Sequence, residues 1–159
     1  MMYCQQLALS GFKNYAEARL DFSPKFNCFT GPNGAGKTNL LDAIYYLSFC
    51  KSFANASDMQ NIAHEQEFFI IKGSYQINDR ENELYCSQKR NTRKIFRRNK
   101  KDYERLSDHI GLFPLVLLSP GDTQLIQGGS DDRRKFLDGV ISQYDKEYLQ
   151  SLLSYNKAL

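Results

Sequence analysis

Apolar positions recur along the chain with two periods, and each period predicts a different element. Leu7 and Leu9 alternate with Ala8 and Ser10, and Leu20 and Phe22 repeat the alternation beyond Gly11-Phe12-Lys13-Asn14-Tyr15. A period of two marks half-buried strands, so these runs predict a hairpin that ends at Ser23-Pro24. A short strand is expected at Phe26-Asn27-Cys28-Phe29-Thr30, with Cys28 in the core. Beyond Thr38 the period changes. Leu40, Leu41, Ile44 and Leu47 share one helical face, which predicts a helix from about Lys37 to Phe49. Tyr45, Tyr46, Phe49 and Phe53 are expected to pack on the sheet.

Later segments follow the same logic. Phe68–Ile71 predicts a strand that extends toward Ile77, and Leu84–Gln88 pairs with Lys94–Arg97 around Arg90-Asn91-Thr92. Tyr103–Ile110 predicts a short helix ending at Gly111, and Leu115–Leu118 has the continuous apolar run of a buried strand. After Gly128-Gly129, Ser130 is placed as a helix N-cap, with Asp131 and Asp132 favoured in the first turn by the helix dipole. Phe136, Leu137, Val140 and Ile141 begin a helical stripe that Tyr148, Leu149, Leu152, Leu153 and Leu159 continue.

The 159 residues suit about one domain, and 42% hydrophobic with 25% charged residues suits a packed core. No apolar run approaches the ~20 residues of a membrane span. The opening MMYCQQLALSGF has no basic region leading into an apolar stretch, so neither a secretion signal nor a membrane segment is expected. Four cysteines stand 24, 22 and 36 residues apart without a CxxC pair, and both histidines are remote from them. That spacing argues against a zinc cluster or a disulfide framework and for reduced thiols in a cytoplasmic protein.

Gly31-Pro32-Asn33-Gly34-Ala35-Gly36-Lys37-Thr38 matches G-x-x-x-x-G-K-[ST], between a predicted strand and a predicted helix. Glycines let backbone N–H groups turn inward around phosphates. Lys37 can reach the β- and γ-phosphates, the Thr38 hydroxyl can ligate Mg²⁺, and the helix that follows points its positive end at the same anion.

With Asn39, this loop resembles the nucleotide-binding heads of ABC-type and SMC-type ATPases. Leu9-Ser10-Gly11-Phe12-Lys13-Asn14-Tyr15, Lys51-Ser52-Phe53, Ser119-Pro120-Gly121-Asp122 and Gly128 through Asp138 narrow the resemblance to the RecF family of bacterial DNA repair proteins. The resemblance implies an α/β P-loop NTPase of ABC/SMC-head type. A mixed sheet would wrap a central helix, with an antiparallel β subdomain at about 66–103. Residues 1–129 would form the first lobe of the ATPase head, and 130–159 the truncated start of a helical second lobe. The implied cofactors are ATP and Mg²⁺. The implied nucleotide contacts are Gly31 through Thr38, Asn39 and Lys13, although position 13 is usually Arg, whose planar fork lysine lacks. Asp122 or Gln124 would serve a loop that contacts the metal and the attacking water; a plain turn capped by Asp122 is the other reading.

An ABC-type site also needs an apolar strand ending in paired acidic residues and a signature resembling Leu-Ser-Gly-Gly-Gln, and the sequence has neither. RecF-type proteins are more than twice this length. The chain therefore looks like an N-terminal fragment that grips phosphate without turning nucleotide over alone. The family implies an ATP-dependent homodimer that clamps DNA at single-strand gaps and stalled forks, with mediator partners of RecO and RecR type, in recombinational repair, replication restart and SOS induction.

Charge is concentrated in one place. The net +3 hides Lys89, Arg90, Arg93, Lys94, Arg97, Arg98, Lys100 and Lys101, eight of the 21 basic residues within thirteen positions that hold no acid. On a hairpin, charge on both faces suits a phosphate backbone better than a core. Arg134 and Asp138 are spaced for a helix-surface ion pair. Two alternatives stand beside the RecF reading: a small-molecule P-loop kinase, with segment 89–101 as its lid, and another ABC- or SMC-type ATPase head, a transporter ATPase included.

Overall fold

The computed structural model describes residues 1–158, with the Gln124 side chain also outside the description. The N-terminal alternation produces strand β1 (Met2–Phe12) and strand β2 (Tyr15–Asp21). Leu7 and Leu9 point into the core and Ala8 and Ser10 away from it. The phosphate-loop region leads into helix α1 (Lys37–Phe49), with the bounds its apolar face predicts. Strands β3 (Phe68–Ile77), β4 (Arg80–Lys89), β5 (Ile95–Arg98) and β6 (Lys101–Asp102) complete a six-stranded sheet of order β2-β1-β3-β4-β5-β6. Every ladder is antiparallel. Residues 68–102 therefore continue the sheet begun by the N-terminal hairpin. The β3–β4 turn at Asn78-Asp79 has positive φ at both residues, the conformation that the tightest hairpin turns require.

One face of the sheet packs on α1. Leu40, Ala43, Tyr46 and Leu47 from the helix meet Leu7, Leu9, Phe12, Phe69, Ile71, Leu84, Cys86 and Phe96 from the strands. Phe12, Tyr46 and Phe69 form a mutual edge-to-face triad with centroids 5.3–6.3 Å apart, and each such pair adds ~0.5–1.5 kcal/mol beyond area burial. Gly73 lets the helix approach: a Cβ there would lie 2.5 Å from Leu47 Cδ1. Buried His109 ties the next segment to this core. Its Nε2 donates to the Leu47 carbonyl at 2.7 Å, its Nδ1 accepts from the Tyr103 hydroxyl at 3.0 Å, and its ring stacks on Phe113.

Helices α2 (Gln124–Gln127), α3 (Ser130–Ile141) and α4 (Lys146–Ala158) end the described chain. Gly129, not Ser130, is the N-cap of α3, so Ser130 is already helical. The expected single stripe is split by the turn at 142–145, and Leu159 lies outside the described residues. Arg134 pairs with Asp131 rather than Asp138, whose carboxylate accepts from Tyr148 at 2.5 Å.

Other expectations are also corrected. The segments 26–30 and 115–118 form no ladder, because a strand needs a neighbouring backbone and none among the described residues pairs with either. Their side chains are consequently open: Phe26 is 93% exposed, Val116 66% and Leu118 74%. Cys28 is exposed rather than in the core. Residues 103–110 contain only a 3-10 turn at Leu106–Asp108. Tyr46 packs on the sheet, whereas Tyr45 stacks on Phe49 at 4.4 Å and meets Phe53 edge-on. These three rings line a cavity of about 440 Å³ that α3 and residues 115–122 also wall.

Candidate functional site

The loop before α1 is shaped by three glycines at φ values that side chains disfavour: Gly31 at 149°, Gly34 at 83° and Gly36 at 99°. Gly36 is the N-cap of α1 and offers no side-chain acceptor, so the first-turn N–H groups have no side-chain cap. A helix start of this kind presents N–H donors and a partial positive charge to an anion. Lys37 Nζ donates to the carbonyls of Gly31 and Pro32 at 2.7 and 2.8 Å, which holds the ammonium over the loop. Thr38 is exposed beside it. Backbone donors, an ammonium and a hydroxyl thus converge on one small surface, the donor set that a polyphosphate requires.

The β1–β2 turn supports this loop. Tyr15 donates its hydroxyl to the Gly36 carbonyl at 3.1 Å, and Asn39 donates to Asn14 Oδ1 at 2.8 Å. Asn14 also walls Gly36: a Cβ there would lie 2.6 Å from Asn14 Nδ2. Lys13 is turned away into an ion pair with Asp42, which is fully buried. Asp42 also accepts from Ser52 Oγ at 2.6 Å and from the Phe53 N–H at 2.8 Å. The sequence pattern singled out Lys13 and Asn39 but gave no role to Asn14, Tyr15 or Asp42. Asp42 lies opposite the face that Leu40, Leu41, Ile44 and Leu47 define, so periodicity gave no signal for its burial.

Asp122 closes the turn 119–122. Its carboxylate accepts from the Ser119 N–H, and its own N–H donates to the Ser119 carbonyl at 3.0 Å. It faces the cavity beside Tyr45 and Phe49, and no hydrogen bond joins it to residues 31–38 among the described residues. Gln124 sits at the start of α2, and its side chain lies outside the described residues.

The basic hairpin divides into three groups. Lys94 points inward: Nζ donates to Asp58 at 2.7 Å, to the Tyr46 hydroxyl at 2.9 Å and to the Cys50 carbonyl at 2.6 Å. All three ammonium hydrogens are used, so Lys94 leaves the set of nucleic-acid candidates. Arg98 bonds Asn82 Oδ1 and lies over the Phe113 ring. Arg97 pairs with Asp102 at 2.6 Å, Lys89 with Glu67 at 3.5 Å, and Arg90 donates to the Gln66 carbonyl. Arg93, Lys100 and Lys101 are exposed, and no ion pair involves them among the described residues.

The sequence matches the RecF/RecN/SMC N terminal domain over residues 3–109. The chain belongs to the RecF/RecN/SMC N-terminal domain family. The DNA replication and repair protein RecF of Phocaeicola vulgatus is 60% identical over 159 residues, covering 99% of this chain and 43% of that protein. A solved structure described as the recombination mediator protein RecF-ATP in the RecFOR pathway superposes with a TM-score of 0.93. It is 33% identical, over 99% of this chain and 43% of that one. A structure from a study of ATP-driven dimerization of SMC ATPases shares the fold, with a TM-score of 0.69 at 21% identity. The chain thus spans less than half the length of the RecF relatives it matches.

For this RecF/RecN/SMC family member, the residues fit a nucleotide at the loop better than a preformed metal centre. No group of three or more His, Cys, Asp or Glu residues is poised to hold an ion among the described residues.

Proposed function

We propose that this chain is the nucleotide-binding lobe of a RecF-type DNA replication and repair protein. The observation that carries the reading is the convergence of Lys37, the uncapped α1 N-terminus and the positive-φ glycines on one surface. ATP is the nucleotide, held by residues 31–39. The backbone N–H groups and Lys37 bind the phosphates, and the Thr38 hydroxyl holds Mg²⁺. When bound, Mg²⁺ neutralises phosphate charge. Lys13 belongs to this set through the turn it anchors.

DNA is the macromolecular partner, bound through its backbone by Arg93, Lys100 and Lys101, with Arg90, Lys89 and Arg97 as rim cations whose present partners are exposed. Such contacts supply affinity without base reading. Residues 1–129 act as the first lobe of an ATPase head and 130–159 as the start of a helical second lobe. The whole protein works as an ATP-switched homodimer beside RecO- and RecR-type mediators, at gaps and stalled forks, in the cytoplasm. No helix of the described residues is long and apolar enough to cross a membrane. The kinase alternative loses ground because β5 is registered on β4 and β6 on β5, as strands of the sheet rather than a free lid. The acidic strand and the signature are absent from this sequence, so the chain alone binds ATP without hydrolysing it.

Calorimetry of Mg-ATP on the wild type and on Lys37→Ala tests the reading, with and without a short duplex at low salt. Binding by the wild type alone supports it. Equal binding by Lys37→Ala, or steady hydrolysis by the chain that Lys37→Ala abolishes, overturns the site or its predicted inactivity respectively.

A further inference from the structure

We propose that Asp42 is a positioning residue that holds the phosphate loop in shape through Lys13 and the β1–β2 turn, a role that rests on the nucleotide-binding reading above. A charged carboxylate on the buried side of a helix is costly unless it is fully partnered, and Asp42 is both fully buried and fully partnered. Its three donors come from two segments outside the helix, the turn at Lys13 and the segment at Ser52 and Phe53.

The turn is the link to the loop. Lys13 has a backbone φ of 52°, and its N–H donates to the Asn61 carbonyl at 2.8 Å, so its placement is fixed from two sides. The next two residues reach the loop: Asn14 Nδ2 lies 3.5 Å from the Gly34 carbonyl, and the Tyr15 hydroxyl donates to the Gly36 carbonyl. Asp42 rides on the same rigid helix as Lys37, Thr38 and Asn39. Its pull on Lys13 therefore sets the turn against the loop, and the turn sets the carbonyl directions of Gly34 and Gly36. The N–H groups on the other side of those peptide planes are the ones offered to phosphate.

The test uses Asp42→Asn and the double variant Lys13→Met/Asp42→Asn. Each is read by the amide resonances of Ala35 and Lys37, which share the peptide planes of the Gly34 and Gly36 carbonyls, in the nucleotide-free chain and by the calorimetric Kd for Mg-ATP. The double variant contains no uncompensated buried charge, so it decides the matter if Asp42→Asn alone fails to fold. Both variants should move the Ala35 and Lys37 resonances, leave sheet amides such as Ile71 and Leu84 in place, and weaken ATP binding by about tenfold. Adding Tyr15→Phe to either should cost less than it does in the wild type, because the turn is already loose.

Unmoved Ala35 and Lys37 resonances with an unchanged Kd would overturn the proposal. So would an Asp42→Asn that binds ATP as well as or better than the wild type while the double variant binds poorly. In that case Lys13 contacts phosphate directly and Asp42 competes with it. If the wild type binds no ATP, the nucleotide reading fails, and the resonances alone decide whether Asp42 shapes the loop.

Discussion

Replacing Lys94 with methionine separates a structural lysine from a DNA-binding one. The substitution keeps the apolar stem and removes the ammonium. Asp58 would then keep its Tyr46 bond but lose its counter-charge, and the Cys50 carbonyl would lose its side-chain donor. Removing one partner of a fully buried ion pair costs ~3–5 kcal/mol. Here the Lys94 side chain is 14% exposed and that of Asp58 30%, so water recovers part of the loss and about 2 kcal/mol remains. The lost bond to the Cys50 carbonyl, at the C-cap of α1, adds about 1 kcal/mol. A total near 3 kcal/mol lowers the melting temperature of a domain this size by roughly 6–12 °C. Urea denaturation gives the free energy directly. In parallel, the salt dependence of duplex binding should not change, because Lys94 faces the core. Arg93→Met should do the reverse, with stability held and a log–log salt slope shallower by about 0.9. A Lys94→Met protein with full stability and a shallower salt slope would show that this lysine serves phosphate and that the inward geometry is misjudged.

Burial lowers the His109 imidazole from 6.5 to about 4. The unfolded chain therefore takes up a proton before the folded one, and stability, complete above pH 6.5, should fall by about 3 kcal/mol as pH drops toward 4. His109→Gln should flatten that part of a pH–stability curve. Gly36→Ala should abolish measurable Mg-ATP binding, since its Cβ would sit 2.7 Å from Asn14 Oδ1 at a φ of 99°; the calorimetric titration that detects the wild type checks this. Burial pushes the Cys50 thiol up to about 12, Cys4 up to about 11 and Cys86 well above its usual value, while Cys28 is exposed. An aromatic disulfide reagent at pH 8 should find one fast thiol in the native chain, and none in Cys28→Ser.

Where local chemistry specifies an element, the sequence reads it well. The apolar face of α1 predicts its bounds because helix periodicity is set within a few residues. The loop at 31–38 is legible for the same reason: its motif is a contiguous run of residues, with glycines at the positions that take positive φ. The runs at 26–30 and 115–118 read as strands because apolar composition reports a demand for burial. A ladder also needs a partner backbone, which no local pattern supplies.

Side-chain direction in the basic hairpin was likewise beyond local pattern. Lys94 and Arg93 are neighbours with the same charge. Lys94 lies just ahead of β5, where Asp58, Tyr46 and the end of α1 converge on it, while Arg93 faces water.

The sequence by itself thus determined the phosphate grip, the helix behind it, the hairpins and the concentration of charge, all of which arise from interactions over a few residues. Only the tertiary structure decided that Asn14 and Tyr15 brace the loop, that Asp42 anchors their turn and that Lys94 is a core cation. Those contacts join residues 21 to 48 positions apart in the chain. They exist because the sheet and α1 pack face to face, and a linear pattern of apolar and polar positions says which side of an element is buried but not what it will meet there.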